Sequence, residues 1–550
     1  MGAMHRLLAV LCGACVCAGA PNPLATLRSA ESAATAELVE AAAAAPDEAV
    51  VVMQRGSARL VRVLAESGDP ALRLLPELAR GRCVPESVCP AAAVFYRQIH
   101  AGTMTREQAA RIASHRTDYF RQLVTLRMQG EDELFDRILH QEAETIRGAW
   151  MEGGEGRRSL AMERMSPRDL YAILAYGQRE ESEVSFARFF DAEFGPRMSG
   201  GRLVVAIGEA RGLRVRHFLV EAIRADRARE LVAVAGGHAA ALLAMAGSGA
   251  ASEPEAALAA EIIEAYAGLA PTTVLEKTLL REAARGEAFA GLLAAWLERV
   301  CGGRVGQDVA ALAARYRSYL PDAAQLSAAD ACREGTCTQR LLFFDDDDGV
   351  ASFGTFQAQY QKDTRWNWEE HRDYVRAWRK GDAGLTVEVF ANRPQSNSGA
   401  VSMAWQGREQ EARDGFARAT GGGNARIIVQ RGHAYHVAKA IEMVPHEARV
   451  VYLGGCRGTE NLRDVLNRAP DAQIVATRST GTMDVNDPLL KAMSDELADR
   501  GRIDWDAFWA RQRTRFAGGR LFGRYIPPHR NGAVLLMQAW RRYSVRAAGQ

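Results

Sequence analysis

The chain is 550 residues long, 48% hydrophobic and 25% charged, too long for one ordinary core and too apolar for general disorder. Its 69 basic residues nearly balance 67 acidic ones, and a net charge of +2 gives no electrostatic footprint for nucleic acid or an anionic membrane. In chain order, the first element is a leader. Arg6 precedes an uncharged stretch of small and apolar residues from 7 to 18, too short to span a bilayer and suited to a secretory signal over residues 1–20. Cleavage is expected after Ala18, because Pro21 disfavours cutting directly after Ala20. Cys12, Cys15 and Cys17 leave a lipid anchor open, although the leucine of Leu-Cys-Gly-Ala before Cys15 stands one position early for a lipobox. No uninterrupted apolar run after the leader approaches 18 residues, so no transmembrane segment is expected. The protein reads as exported and bacterial in type: periplasmic, outer-membrane-associated or extracellular.

Residues 24–330 are helical in pattern almost throughout. Segments 107–128, 131–150, 167–177 and 253–269 space apolar residues at three and four, with helix starts at Ser166-Pro167 and Thr105-Arg-Glu107. Gly200-Gly201, Gly236-Gly237 and Gly302-Gly303 mark breaks, and no constant repeat period appears. Of the nine cysteines six lie beyond the leader, and Cys83 with Cys89 and Cys332 with Cys337 are spaced for local disulfides in an oxidising compartment. Cys301 and Cys456 remain, and a bond between them would leave no thiol for chemistry.

The rhythm changes near Leu341. Asp345 to Asp348 form an acidic cluster, read as a solvated turn because it lacks the spacing of a calcium loop. Strands at 386–390, 425–430, 449–453 and 473–477 then alternate with helices at 406–420, 435–444, 460–469 and 488–500. The expected fold over 340–545 is a doubly wound, largely parallel α/β sheet flanked by helices and preceded by the all-α region.

Two of these strands end in reactive side chains: Arg426-Ile-Ile-Val-Gln-Arg-Gly-His433 and Arg449-Val-Val-Tyr-Leu-Gly-Gly-Cys456. Parallel strands joined by a crossover helix carry both carboxyl ends to one sheet edge, where open α/β sheets hold their sites. A thiol with an ordinary pKa of about 8.5 is only a few per cent ionised at pH 7, so a neighbouring imidazole is what makes Cys456 a nucleophile. The same His433 can protonate a leaving amine, and the start of the following helix would add a dipole. Gly432, Gly454, Gly455 and Gly458 clear space for a substrate backbone and for main-chain N–H groups aimed at an oxyanion.

"RGH" at 431–433 followed by "LGGCRG" at 453–458 resembles the histidine-then-cysteine signature of the caspase-like cysteine peptidases, the superfamily of caspases, separases, gingipains and legumains. The resemblance covers roughly residues 385–490. It implies a caspase-like domain with Cys456 as nucleophile and His433 as base, acting on a protein or peptide substrate as an endopeptidase or transpeptidase without a cofactor. In the family glycine usually follows the histidine, whereas here Gly432 precedes His433 and Ala434 follows. The resemblance also implies substrate-gripping loops at this edge, where Asn392, Thr480, Thr482 and Asp487 fall. Asp487 suits a basic substrate side chain or, equally, an N-cap.

Other chemistry lacks its spacing. No Cys-x5-Arg, G-x-G-x-x-G, Walker, G-x-S-x-G or H-E-x-x-H pattern is present, and the one C-x-x-C, at Cys12 and Cys15, lies in the leader. No metal ligand set is assigned. His436 is an alternative base that suits helix packing better, and His446 falls in a loop. The competing reading is an exported helical scaffold or binding protein whose α/β domain does no catalysis, with Cys456 buried or oxidised.

Overall fold

The computed structural model describes residues 22–80, 91–114, 116–128, 134–152, 162–163, 165–177, 182–394, 416, 425–519 and 521–548. The leader, Cys83 and Cys89, most of the helix expected at 406–420, and Gly421 to Gly423 lie outside them. Two compact units divide the chain, residues 1–177 and 178–550.

The first unit is helical among its described residues, from Pro23–Arg28 to Pro167–Tyr176. Ser166 and Asp169 close a capping box with Pro167 in the first turn, and Thr105 and Gln108 exchange the same pair of bonds. Both satisfy N–H groups that a helix start leaves open, which is why these short polar runs were readable as starts. Leu64, Phe95, Phe120, Leu139 and Tyr171 are fully buried.

In the second unit the helices between residues 182 and 320 share one compact body with the sheet. They include α1 (Val215–Arg224), α2 (Glu253–Tyr266) and α3 (Ala288–Val300). Between α1 and α2, Ala228–Gly247 is long and apolar enough to cross a membrane by length and composition, which corrects the expectation that no such segment exists. The sequence breaks it at Gly236-Gly237, but the backbone carries the helix through a short 3-10 turn there, with Gly236 at φ +53°. It packs as a core element: a Cβ on Gly247 would meet Leu275 Cδ1 at 2.5 Å.

The strands are β1 (Gln325–Ser327), β2 (Thr336–Phe343), β3 (Asn367–Glu370), β4 (Tyr374–Lys380), β5 (Thr386–Asn392), β6 (Ile427–Arg431), β7 (Val450–Leu453), β8 (Gln473–Thr477), β9 (Arg502–Asp504) and β10 (Tyr525–Ile526). β1 and β9 pair alone, and the other eight form one sheet in the order β10-β8-β7-β6-β2-β5-β4-β3. The five strands from β8 to β5 are parallel, and β10, β4 and β3 run antiparallel at the margins. Cys332 and Cys337 are joined in a disulfide at the entry to β2.

Both faces of the parallel core are covered, which is why its strands read as continuous apolar runs. Leu341, Phe343, Val429, Tyr452 and Val475 point to one face. There they meet Phe356 and Tyr360 of α4 (Asp347–Lys362) and Leu489 and Met493 of α7 (Met483–Arg500). Leu342, Ile428, Val451, Leu453 and Ile474 point to the other. That face is closed by α5 (Val437–Glu442), α6 (Leu462–Arg468) and α9 (Gly532–Ala548) through Ile441, Val465 and Val534. Each such side chain contributes about 1.5–3 kcal/mol by burial. α8 (Trp505–Arg515) adds Trp505 and Phe508 to the first face, and α2 adds Ala257 to the second.

Candidate active site

From β2 the chain builds β5 on one side and then returns to build β6 on the other, so the direction of winding reverses between β2 and β6. Open α/β sheets bind ligands at this switch point, beyond the carboxyl ends of the strands. Here it receives the four aspartates after β2 and the Gly432-His433 turn after β6, joined by the Phe344 N–H donating to the Arg431 carbonyl at 3.1 Å.

The acidic cluster is not a solvated turn. Asp346 is 6% exposed and caps α4 by accepting the Gly349 N–H at 2.6 Å, which sets three carboxylates at the positive end of a helix dipole. Its other oxygen accepts the His433 N–H at 3.0 Å and lies 3.2 Å from His436 Nε2. Gly432 is required beside it: φ is +132°, and a Cβ would stand 2.9 Å from Asp346 Oδ2. The His433 ring sits between Asp347, 3.0 Å from Nε2, and Asp348, 3.3 Å from Nδ1. His436 instead stacks on Phe344 with ring centroids 4.4 Å apart.

Partial burial works against a charged His433 ring, but the hydrogen bond with Asp347 and the charges of Asp348, Asp346 and Asp347 outweigh it, so the pKa is raised from 6.5. The contribution to stability is therefore complete below the ordinary histidine value and is lost as pH rises through the higher folded one. In an NMR titration the His433 ring should titrate above 6.5, and Asp347→Asn with Asp348→Asn should move it down. An unmoved titration would show that these carboxylates do not set the ring's charge.

β6 and β7 are parallel with Gln430 opposite Leu453, so Gly432 and Gly455 leave the sheet side by side and His433 and Cys456 follow them. The Gly432 carbonyl lies 3.2 Å from where a Cβ on Gly455 would stand. Gln430, 1% exposed, ties the two turns: its amide donates to the Gly432 carbonyl at 3.0 Å while its oxygen accepts the Gly455 N–H at 2.8 Å. Sequence reading passed over Gln430, although a glutamine near the end of an otherwise apolar buried strand is itself a signal. Cys456 is partly exposed, and it and Cys301 are not joined in a disulfide.

The glycines around the sulfur shape the turn and do not supply a ready oxyanion hole. The Gly454 N–H donates to the Gln430 carbonyl, that of Gly455 to the Gln430 side chain, and that of Gly458 to Thr477 Oγ1 at 3.0 Å. The helix dipole expected at Cys456 is also displaced, because a 3-10 turn, Gly458–Asn461, intervenes before α6 and the effect fades within one turn. Arg457 is left-handed at φ +54° and 4% exposed, with ion pairs to Glu460 at 3.1 Å and to Glu221 of α1 at 3.4 Å. The helical segment thus grips the residue next to Cys456.

The remaining edge residues separate. Asn392 is committed to the sheet, its amide donating to the Phe343 carbonyl at 2.6 Å and its oxygen accepting the Phe343 N–H at 2.8 Å. Thr480 is exposed beyond β8, and the Thr482 N–H donates to the Tyr525 hydroxyl at 2.8 Å. Asp487 neither caps a helix nor faces an open edge. It is 4% exposed inside α7, which starts five residues earlier than the expected 488–500, and its basic partner is the chain's own Arg431 at 2.9 Å. Asn486 beside it, also missed, donates to the Gly454 carbonyl at 2.9 Å and accepts from the Tyr452 hydroxyl at 2.8 Å. His446 Nδ1 lies 3.1 Å from the Arg468 carbonyl.

Asp346, Asp347 and His433 offer donor atoms within 4.8 Å of one another, a set able to hold a divalent cation in competition with any role of the imidazole as a base. Comparison with family models, curated proteins and solved structures finds no match to this chain.

Proposed function

We propose that the α/β part is a cysteine peptidase of the caspase-like type, exported, with Cys456 as nucleophile and His433 as its base. What carries the reading is the exit of Gly432-His433 and Gly455-Cys456 from adjacent parallel strands at the carboxyl edge of the sheet. Asp347 and Asp348 hold the imidazole and favour its charged form, the part a carboxylate plays behind a catalytic histidine. The Cys332–Cys337 disulfide suits an oxidising compartment. In the reaction the thiol proton passes to His433 and sulfur bonds to the substrate carbonyl carbon. The C–N bond then breaks as the imidazolium protonates the leaving amine, and water cleaves the thioester, returning the thiol and releasing the acid.

A second reading, an exported binding protein without catalysis, is favoured by one observation: the Gly454, Gly455 and Gly458 N–H groups are all engaged within the protein. Alkylation separates the two. Iodoacetamide should modify Cys456 with an apparent pKa below the ordinary 8.5, and His433→Ala should restore ordinary behaviour. Cys456 reacting no faster than Cys301, or unchanged in His433→Ala, would reject the dyad and favour the binding protein.

A further inference from the structure

Beyond the carboxyl end of β8 the second unit holds a cavity of about 770 Å³, within the range of small-molecule sites and far larger than one side chain needs. Its wall is rich in arginine, and these arginines are not equally occupied. Arg227 is held by Asp191 at 2.7 Å and Arg530 by Glu264 at 2.6 Å. Arg229, Arg513 and Arg524 line the same cavity and form no ion pair among the described residues. Arg478 reaches Glu261 only at 3.8 Å, and its buried Nε has no hydrogen-bond partner among the described residues. The acidic wall residues are Glu264, already paired, and Asp226.

A second, independent feature points the same way. Ser479 is 0% exposed, lines the cavity, and its Oγ has no hydrogen-bond partner among the described residues. A buried hydroxyl left unmatched costs roughly 1–3 kcal/mol, so a ligand acceptor there would be favoured. Trp509 and Phe522, with centroids 5.2 Å apart, give the cavity an apolar floor. Guanidinium groups match phosphate oxygens in pairs, and several of them around so large a volume suit several anionic groups on one small molecule better than a single carboxylate.

We propose that this cavity binds a small molecule carrying two or more phosphate groups, held by Arg229, Arg478, Arg513 and Arg524 with the Ser479 hydroxyl. The proposal does not rest on the peptidase reading, and its test reads binding alone. Calorimetry on the full chain should find one saturable site for inorganic tripolyphosphate or for ATP, weakened by added salt. Tighter binding of ATP would mean that the aromatic floor takes a ring. Arg524→Ala and Arg478→Met should each weaken binding by about tenfold or more, which is about 1.4 kcal/mol. Because Arg229 and Arg513 are exposed, Arg229→Glu and Arg513→Glu keep the test valid if the buried substitutions disturb folding, and each should weaken binding at least as much. Absence of saturable binding for both probes, or affinity unchanged in Arg229→Glu and Arg513→Glu, overturns the proposal. A glutamate-rich peptide that binds as tightly as tripolyphosphate also overturns it, in favour of an acidic peptide.

Discussion

Cys456→Ala and His433→Ala should each reduce peptide hydrolysis by on the order of 10⁴-fold or more, and the double substitution should lose little beyond either single one. Nucleophile and base act as one unit, so removing either removes the covalent route, and what survives is whatever binding alone supplies. Folding should change little, since Cys456 is partly exposed and His433 lies at the cluster's outer side against Asp347, whose side chain is 90% exposed. His436→Ala discriminates between the two histidines. That ring is stacked on Phe344 and aimed at Asp346, so its loss loosens the loop without removing the base, and activity should stay within about tenfold of the parent. The measurement is turnover of a diverse peptide library by the mature chain. A Cys456→Ala protein that hydrolyses at the parental rate ends the mechanism, and two single losses that multiply in the double variant would show that His433 and Cys456 act separately.

The parallel core was legible because its strands are buried on both faces and carry little but β-branched and aromatic residues; β8 lies at 473–477 as the sequence reads it. β2, the strand at the switch point, escaped because Thr336 to Arg340 is polar in sequence. There Cys337 and Gln339 face a covered side while Arg340, 4% exposed, is buried on the opposite one. α4 escaped for a related reason: its start is an acidic run, and four consecutive aspartates look solvated until His433 and His436 are brought against them. Yet Val350, Phe353, Phe356 and Tyr360 keep helical spacing behind them. The pairing of His433 with Cys456 along one edge could be read from strand ends. The roles of Gln430, Arg431, Asn486 and Glu221 could not, since each acts on a residue distant in sequence and no local pattern announces it. Asp487 was visible as a charge near the edge, but only packing reveals that its partner is internal.

Removing that partner should cost the sheet more than any other single change at the edge. Arg431, 3% exposed, donates from Nε to Asp487 Oδ1 at 3.0 Å and from its Nη2 to the Ser352 hydroxyl, so β6 is clamped to α7 and α4 immediately before the His433 turn. Burial raises the Asp487 pKa to about 6, with a smaller push from Asp484, against the downward pull of Arg431 and Ser352. The sign follows from a folded value above the ordinary carboxylate range of about 3.9: this group's contribution is complete in acid and is lost as pH rises through about 6. Arg431→Met strands the carboxylate in the interior, and breaking a buried pair from one side costs about 3–5 kcal/mol. Hydrogen exchange at the β6 and β7 amides reads this as an opening free energy. The loss should be largest at pH 7 and shrink at pH 5, because the stranded acid escapes by taking a proton. Arg431→Met with Asp487→Leu should recover most of the loss at pH 7, since an apolar pair of similar volume is often neutral or better than a buried ion pair. Equal loss at both pH values would mean that Asp487 is not the group left stranded, and a double variant no better than Arg431→Met would mean that Arg431 stabilises through Ser352 and its stem instead.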